Sequence, residues 1–152
     1  GTDYLCSINY AICSDDKAYI LDVIYTQDAM EITEPLVAGM LTKDDVNYAV
    51  IESNNGGKGF ARNVERICRE NNNNHTMFRR FTQTKNKVSR ILTGATGVMQ
   101  NIMFPEDWKS MYPKFYKDVT QFQRLGKNKH DDCVDTLTGI YEQLRKRNNS
   151  GW

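Results

Sequence analysis

The spacing of apolar residues changes several times along this chain, and each change marks an element. Residues 4–13 (YLCSINYAIC) and 18–25 (AYILDVIY) are dense in β-branched and aromatic side chains. The polar stretch Ser14-Asp15-Asp16-Lys17 separates them, so the two runs predict a hairpin. Over residues 31–42 the spacing turns helical, with Leu36, Val37, Met40 and Leu41 on one stripe and acidic residues early. Tyr48-Ala49-Val50-Ile51 is then a continuous apolar run that ends in Glu52. Such a run without alternation predicts a strand buried on both faces, in the middle of an α/β sheet.

The turn cluster Ser53-Asn54-Asn55-Gly56-Gly57 follows, and after it a helix whose stripe is Phe60, Ala61, Val64, Ile67 and Cys68. Arg62, Arg66 and Arg69 form a separate line on that helix. Asn71 to Asn74 predicts a polar loop, His75 to Phe81 a strand, residues 84–94 a weak helix, and Val98 to Phe104 another strand. Pro105-Glu106-Asp107 is a helix start, with proline in the first turn and acids favoured by the dipole. Its stripe runs from Trp108 to Phe122 and is interrupted by Pro113, which predicts a kink or two short helices. These aromatics read as core. The last helix is expected from about Asp131, with Cys133, Val134, Leu137, Ile140, Tyr141 and Leu144 on its apolar face.

At 152 residues, with 39% hydrophobic and 26% charged side chains, the chain fits one globular domain. It has no apolar run of the ~18–20 residues that cross a membrane, and no signal-peptide pattern. Cys6, Cys13, Cys68 and Cys133 are scattered without zinc-site spacing, and they read as reduced, mostly buried thiols of a cytosolic protein. Gly1 reads as a remnant of tag cleavage. The net charge of +1 conceals a strong asymmetry. Residues 1–55 carry two basic and ten acidic side chains, a balance of −8; residues 56–90 carry nine and two, a balance of +7; residues 91–152 carry nine and seven, a balance of +2. That division suits a protein that gathers cations in one place and phosphates in another, and it equally describes two solvated faces.

Two features are candidates for chemistry. Glu52 ends a strand, and ligands of open α/β sheets gather at the carboxyl ends of strands; a solvent-facing glutamate is the alternative. In Lys129-His130-Asp131-Asp132-Cys133-Val134-Asp135, three aspartates crowd one helix start. Capping and dipole compensation explain one or two of them. Asp131 and Asp135, however, are a like-charge pair four residues apart, and a divalent cation would turn their repulsion into attraction. Mg²⁺ and Mn²⁺ favour such hard oxygens together with water and phosphate. No GxxxxGK[ST] loop is present, and Gly56-Gly57-Lys58-Gly59 lacks that spacing, so ATP hydrolysis is not expected here. His75 and His130 are the two histidines, and no serine nucleophile elbow is found.

These segments resemble a known family. YAVIESNNGGKGFARNVERI is similar to the part of phage terminase large subunits in which an acidic residue ends a central strand before an Asn-Gly-Gly turn. NKHDDCVDTLTGIYE resembles their C-terminal motif, with His-Asp-Asp before Val-Asp and a helix. TQTKNKVSRI and MFPEDW resemble connecting segments between them, and the order holds over nearly the whole chain. The resemblance implies the C-terminal nuclease domain of a bacteriophage or prophage terminase, spanning residues 1–152. It implies an α/β, RNase H-like mixed sheet flanked by helices, here without its first strand, which carries a catalytic aspartate; the ATPase domain lies further upstream. Asp3 is not expected to substitute for that aspartate, and the chain by itself is expected to bind metal weakly and to cut poorly. The open sheet edge so created is expected to invite self-pairing.

The implied activity is endonucleolytic cutting of concatemeric DNA by two Mg²⁺ or Mn²⁺ ions. Glu52 would be one metal ligand and Asp131 or Asp132 another, with Asp135 and His130 as outer or orienting groups. Arg62, Arg66, Lys85, Lys87 and Arg90 are expected to contact double-stranded DNA through its phosphates. The portal and the small terminase subunit would be partners of the full-length protein in the bacterial cytoplasm, with no membrane involved. Rival readings are a resolvase-type RNase H-like nuclease, a nuclease-inactive module that docks on DNA or a portal, and a purely structural prophage remnant.

Overall fold

The computed structural model describes residues 3–54, 56–122 and 127–150, with side chains as far as 147. Gly1, and Asn55 of the expected turn, lie outside the described residues. The chain divides into two compact units, one built from residues 1–27 and 85–152 and the other from residues 28–84.

In the first unit, β1 (Leu5–Ile12) and β2 (Ala18–Thr26) form the expected antiparallel hairpin. Asp16, at φ 62°, helps turn the chain between them. The register shifts where Asn9 faces Asp22 and Tyr10 faces Ile20, which leaves Leu21 as an extra residue, exposed on the bulge. A short β5 (Ile102–Met103) pairs in parallel with the start of β2, so the sheet is mixed, in the order β1-β2-β5.

Helix α3 (Lys87–Asn101) runs directly into β5. The strand expected over Val98 to Phe104 is therefore corrected: Val98 to Asn101 complete the helix, and two residues are extended. A short segment with apolar residues on both sides of Gln100-Asn101 fits either period, and here the packing of α3 on α6 decides for helix. Gly94 and Gly97 of α3 face Thr138 and Tyr141 of α6 (Asp132–Ser150), and a Cβ at Gly97 would overlap the Tyr141 ring. Close approach of the two helices therefore requires glycine there.

Pro113 divides the aromatic stripe into α4 (Trp108–Met111) and α5 (Pro113–Thr120), and it occupies the first turn of α5, where its missing N–H costs nothing. The aromatics are core, as expected. Phe115 is fully buried and meets Trp108 at 5.8 Å and Tyr25 at 6.0 Å between ring centroids. Ala18, Ile20, Val23, Ile102, Cys133, Leu137, Ile140 and Leu144 complete that core.

The second unit contains α1 (Met30–Lys43), β3 (Tyr48–Glu52), α2 (Gly57–Glu70) and β4 (Met77–Phe81). Strands β3 and β4 are parallel, with Tyr48 opposite Met77 and Glu52 opposite Phe81, and α2 forms the crossover. Val37, Ala38, Met40 and Leu41 of α1 and Phe60, Ala61, Val64 and Cys68 of α2 are buried, whereas Leu36 is half exposed. The expectation that β3 is buried on both faces does not hold. Ala49 is buried, while Tyr48 and Val50 are 48% and 37% exposed. Among the described residues β3 pairs with β4 alone, and α2 packs against the strand pair. A continuous apolar run here alternates in fact, because one face is covered and the other is open.

Candidate functional site

Glu52 sits at the carboxyl end of β3, and short-range chemistry fixes that end. The Ser53 amide and hydroxyl both donate to the Phe81 carbonyl, at 2.8 and 2.9 Å. Asn54 donates from Nδ2 to the Gln83 carbonyl at 3.1 Å and accepts from the Gln83 amide at 3.0 Å, so the ends of β3 and β4 leave the sheet together. Gly56 then adopts φ 89°, and a Cβ on Gly57 would collide with the Glu52 carbonyl oxygen. The two glycines permit α2 to begin directly over the end of the strand. The Glu52 side chain is exposed. Arg62 and Arg66 lie on the exposed face of α2, where Arg66 pairs with Glu70 at 2.5 Å.

The aspartates of the other motif gather at the start of α6, within the first unit. Lys87 Nζ lies 2.9 Å from Asp131 Oδ1 and 2.9 Å from Asp132 Oδ1, so two carboxylates converge on one ammonium. The remaining oxygen of Asp132, Oδ2, accepts the Tyr4 amide at 2.9 Å. One turn along α3, Arg90 Nη1 meets Asp135 Oδ1 at 2.6 Å, and its Nε and Nη2 grip Glu142 at 3.2 and 2.6 Å. Burial alone would lower the Lys87 pKa, but its bonds to Asp131 and Asp132 outweigh that and hold it above the usual lysine range. The bond to Glu142, aided by Asp135 and opposed by burial, likewise raises Arg90.

This arrangement changes two expectations. The crowding of Asp131, Asp132 and Asp135 needs no cation from solution to be tolerated, because α3 supplies Lys87 and Arg90. Arg90, with a side chain 8% exposed, is a buried counter-ion with its guanidinium committed on both sides. A phosphate could reach it only by breaking both pairs, so the DNA contact expected of it does not suit its position. Lys87, 39% exposed, faces the carboxylates. Lys85, just before α3, is exposed. The structure thus brings Lys87, Arg90, Asp131, Asp132 and Asp135 together in the first unit, while Glu52, Arg62 and Arg66 belong to the second. Glu142 had no part in the sequence reading, although its place two turns beyond Asp135 on α6 was a usable signal.

His130 packs edge-on against the Tyr4 ring at 4.8 Å, and Tyr4 stacks on Tyr25 at 4.2 Å. Tyr25 Oη donates to Asp118 Oδ2 at 2.5 Å, and Lys114 pairs with the other oxygen of Asp118 at 3.1 Å. Beside this group lies an open cavity of about 310 Å³ lined by Lys114, Lys117, Lys127, Lys129, His130 and Asp118, among others. Four lysines face one aspartate there. Sequence reasoning missed this feature because the net charge of residues 91–152 averages it away. The close spacing of Lys114 with Lys117, and of Lys127 with Lys129 and His130, was the local sign.

Among the described residues, no group of three or more His, Cys, Asp or Glu side chains is arranged to hold a metal ion. The Asp131–Asp132 pair still has the right donor chemistry, since two hard carboxylate oxygens aim at one cationic point. Mg²⁺ is commonly held by one or two carboxylates, with water and substrate phosphate completing its shell. The pair therefore fits a divalent cation through two donors, and Lys87 stands where that charge would be. Burial pushes the Cys133 thiol up to about 11 and raises Cys6 as well, so neither is a thiolate near neutrality.

No curated protein and no solved structure matches the chain. A family model described as the terminase RNaseH-like domain matches residues 2–144, a span that holds both strand pairs, Glu52 and the whole aspartate motif. The mixed α/β architecture is consistent with an RNase H-like fold. The chain belongs to the terminase RNaseH-like domain family, as the nuclease domain of a terminase large subunit.

Proposed function

We propose that this domain is a metal-dependent DNA endonuclease that cleaves concatemeric DNA during phage genome packaging. The observation that carries the reading is the convergence of the Asp131 and Asp132 carboxylates on one cationic point, in a domain of a nuclease family. A divalent cation, Mg²⁺ or Mn²⁺, would supply Lewis acidity toward the scissile phosphodiester, two such ions being the fuller form of the reading. The residues of the chain do the rest. The Tyr4 amide fixes one oxygen of Asp132 and so aims the other; Asp135 and Glu142, held by Arg90, set the rotation of α6; His130 rests against Tyr4 and orients the approach to Asp131. Glu52 is proposed as a catalytic carboxylate on its position at the end of β3. The lysine cavity, with Lys85, Arg62 and Arg66 as further exposed cations, is proposed to hold phosphates of double-stranded DNA. Portal and small terminase subunit are the proposed partners of the full-length protein, in the cytoplasm of a bacterial host.

Nicking of supercoiled DNA in Mn²⁺ tests the reading. Asp132→Asn and Glu52→Gln are each expected to lower the rate by about 10²–10³-fold while DNA affinity is retained. Cleavage that survives both substitutions, or that persists in EDTA, would refute it. One observation favours a second reading, a nuclease-inactive module docking on DNA: the carboxylates are already paired with Lys87 and Arg90. That reading expects DNA binding with no Mn²⁺-dependent cutting at all.

A further inference from the structure

Lys87 is the first residue of α3, where a cation opposes the helix dipole and where the first turn holds no acidic residue. Its position is explained by its partners, since a single ammonium is shared equally between Asp131 and Asp132. We propose that Lys87 is the resident counter-ion of this carboxylate pair and competes with a divalent cation for it, so that metal binding there requires the Lys87 ammonium to swing away. The inference rests on the metal-dependent reading given above.

Charge and mobility both lead there. The two carboxylates carry −2, and Lys87 reduces this to −1. A divalent cation in place of Lys87 brings the pair to neutrality, whereas both cations together would leave a net positive charge with like charges a few ångströms apart. Asp132 Oδ2 is already taken by the Tyr4 amide, so the ammonium occupies the oxygen that a metal would need. The exit is open, because the Lys87 side chain is 39% exposed and ends a flexible four-carbon stem. Arg90 offers a contrast within one helical turn. It is buried and forked between two carboxylates, so it stays when Lys87 leaves. Lys87 thus acts as a positioning residue: it keeps the aspartates preformed and sets the concentration of metal needed to claim them. The apparent affinity is the intrinsic affinity multiplied by the fraction of time the pair is free of the ammonium.

Binding of Mn²⁺, followed by the loss of the free-ion electron paramagnetic signal, tests this on the whole chain. Lys87→Met is expected to bind Mn²⁺ roughly tenfold more tightly than the wild type, and Lys87→Arg no more tightly. A folded Lys87→Met protein, checked by circular dichroism, that binds Mn²⁺ equally or more weakly would overturn the inference and leave the metal reading standing. Absence of Mn²⁺ binding in wild type and variant alike would remove the metal reading and this inference together. A measurement on the unaltered protein keeps the test independent of how the variants fold. Acylation of Lys87, read by mass spectrometry, is expected to speed up several-fold as Mg²⁺ is added, with Lys58 as an unresponsive control. A Lys87 rate that ignores Mg²⁺ in a protein that binds the ion would overturn the proposal.

Discussion

Asn73 sits in a stretch of four consecutive asparagines that looks like plain solvated loop, yet it is 7% exposed and uses its whole amide. Nδ2 donates to the hydroxyls of Thr42 and Thr76, and Oδ1 accepts the amides of His75 and Thr76. Asn73→Ala would leave the buried Thr76 amide without this acceptor and is expected to cost about 1–3 kcal/mol, measured by urea unfolding; a change within a few tenths would show that water replaces the side chain. Tyr25 gives a pH-dependent case. Burial, and then its bond to Asp118, raise its pKa above the ordinary phenol value of 10.0. The folded state therefore holds this proton more tightly than the unfolded chain. Its contribution to stability is complete below about pH 10 and is lost as pH rises further. Ultraviolet titration of the folded protein to about pH 11 should give the same tyrosinate amplitude for the wild type and for Tyr25→Phe. A wild-type excess of one tyrosine would disprove it.

Between elements, glycines of one residue type do opposite things. Gly97 lies where α3 meets the Tyr141 ring, while Gly39 of α1 has nothing within 4 Å of a would-be Cβ. Gly97→Ala is expected to destabilise by about 1–3 kcal/mol through forced repacking. Gly39→Ala is expected to stabilise by roughly 0.5–1 kcal/mol, because alanine loses less backbone entropy in a helix. Thermal unfolding of both variants checks the pair, and matching signs would count against the packing argument. The same α3–α6 contact holds Lys87 and Arg90 over the aspartates, so helix approach and carboxylate geometry are one structural fact. Element types were largely legible from periodicity: the hairpin, α1, α2, the Pro113 break and α6 all occur where spacing and breakers placed them. The failures were in two short segments rich in apolar residues, at Val98 to Phe104 and in β3. Four or five apolar residues carry no information about which neighbour will cover them.

For the molecule as a whole, the charge asymmetry suggested cations in one place and phosphates in another, and the structure pairs many of those charges with one another. Much of the basic middle segment is used internally: Arg69 holds the Asn73 and Thr76 carbonyls, Arg90 is buried, and Arg66 and Arg80 pair with glutamates. The cavity lysines at 117, 127 and 129 form no ion pair with a described residue. If DNA phosphates lie there, the triple variant Lys117→Ala, Lys127→Ala, Lys129→Ala should weaken duplex binding. The slope of log K against log salt should fall by about 0.9 for each phosphate that the variant no longer neutralises. An unchanged slope in fluorescence anisotropy titrations would place the DNA elsewhere. No helix among the described residues is long and apolar enough to cross a membrane.

The residues themselves determined the family, the element types and the identity of the acidic candidates, because motif order, periodicity and turn chemistry are local properties written in consecutive positions. Glu52 could be placed at a strand end from YAVIE and the glycines after it alone. Which charges neutralise Asp131, Asp132 and Asp135 was decided only by tertiary structure. Lys87 and Arg90 lie more than 40 residues away in the chain, and nothing in their local spacing distinguishes a cation facing DNA from one facing a carboxylate. That distinction arises when α3 and α6 pack, because burial then makes pairing obligatory for Arg90 and leaves Lys87 able to exchange its partner.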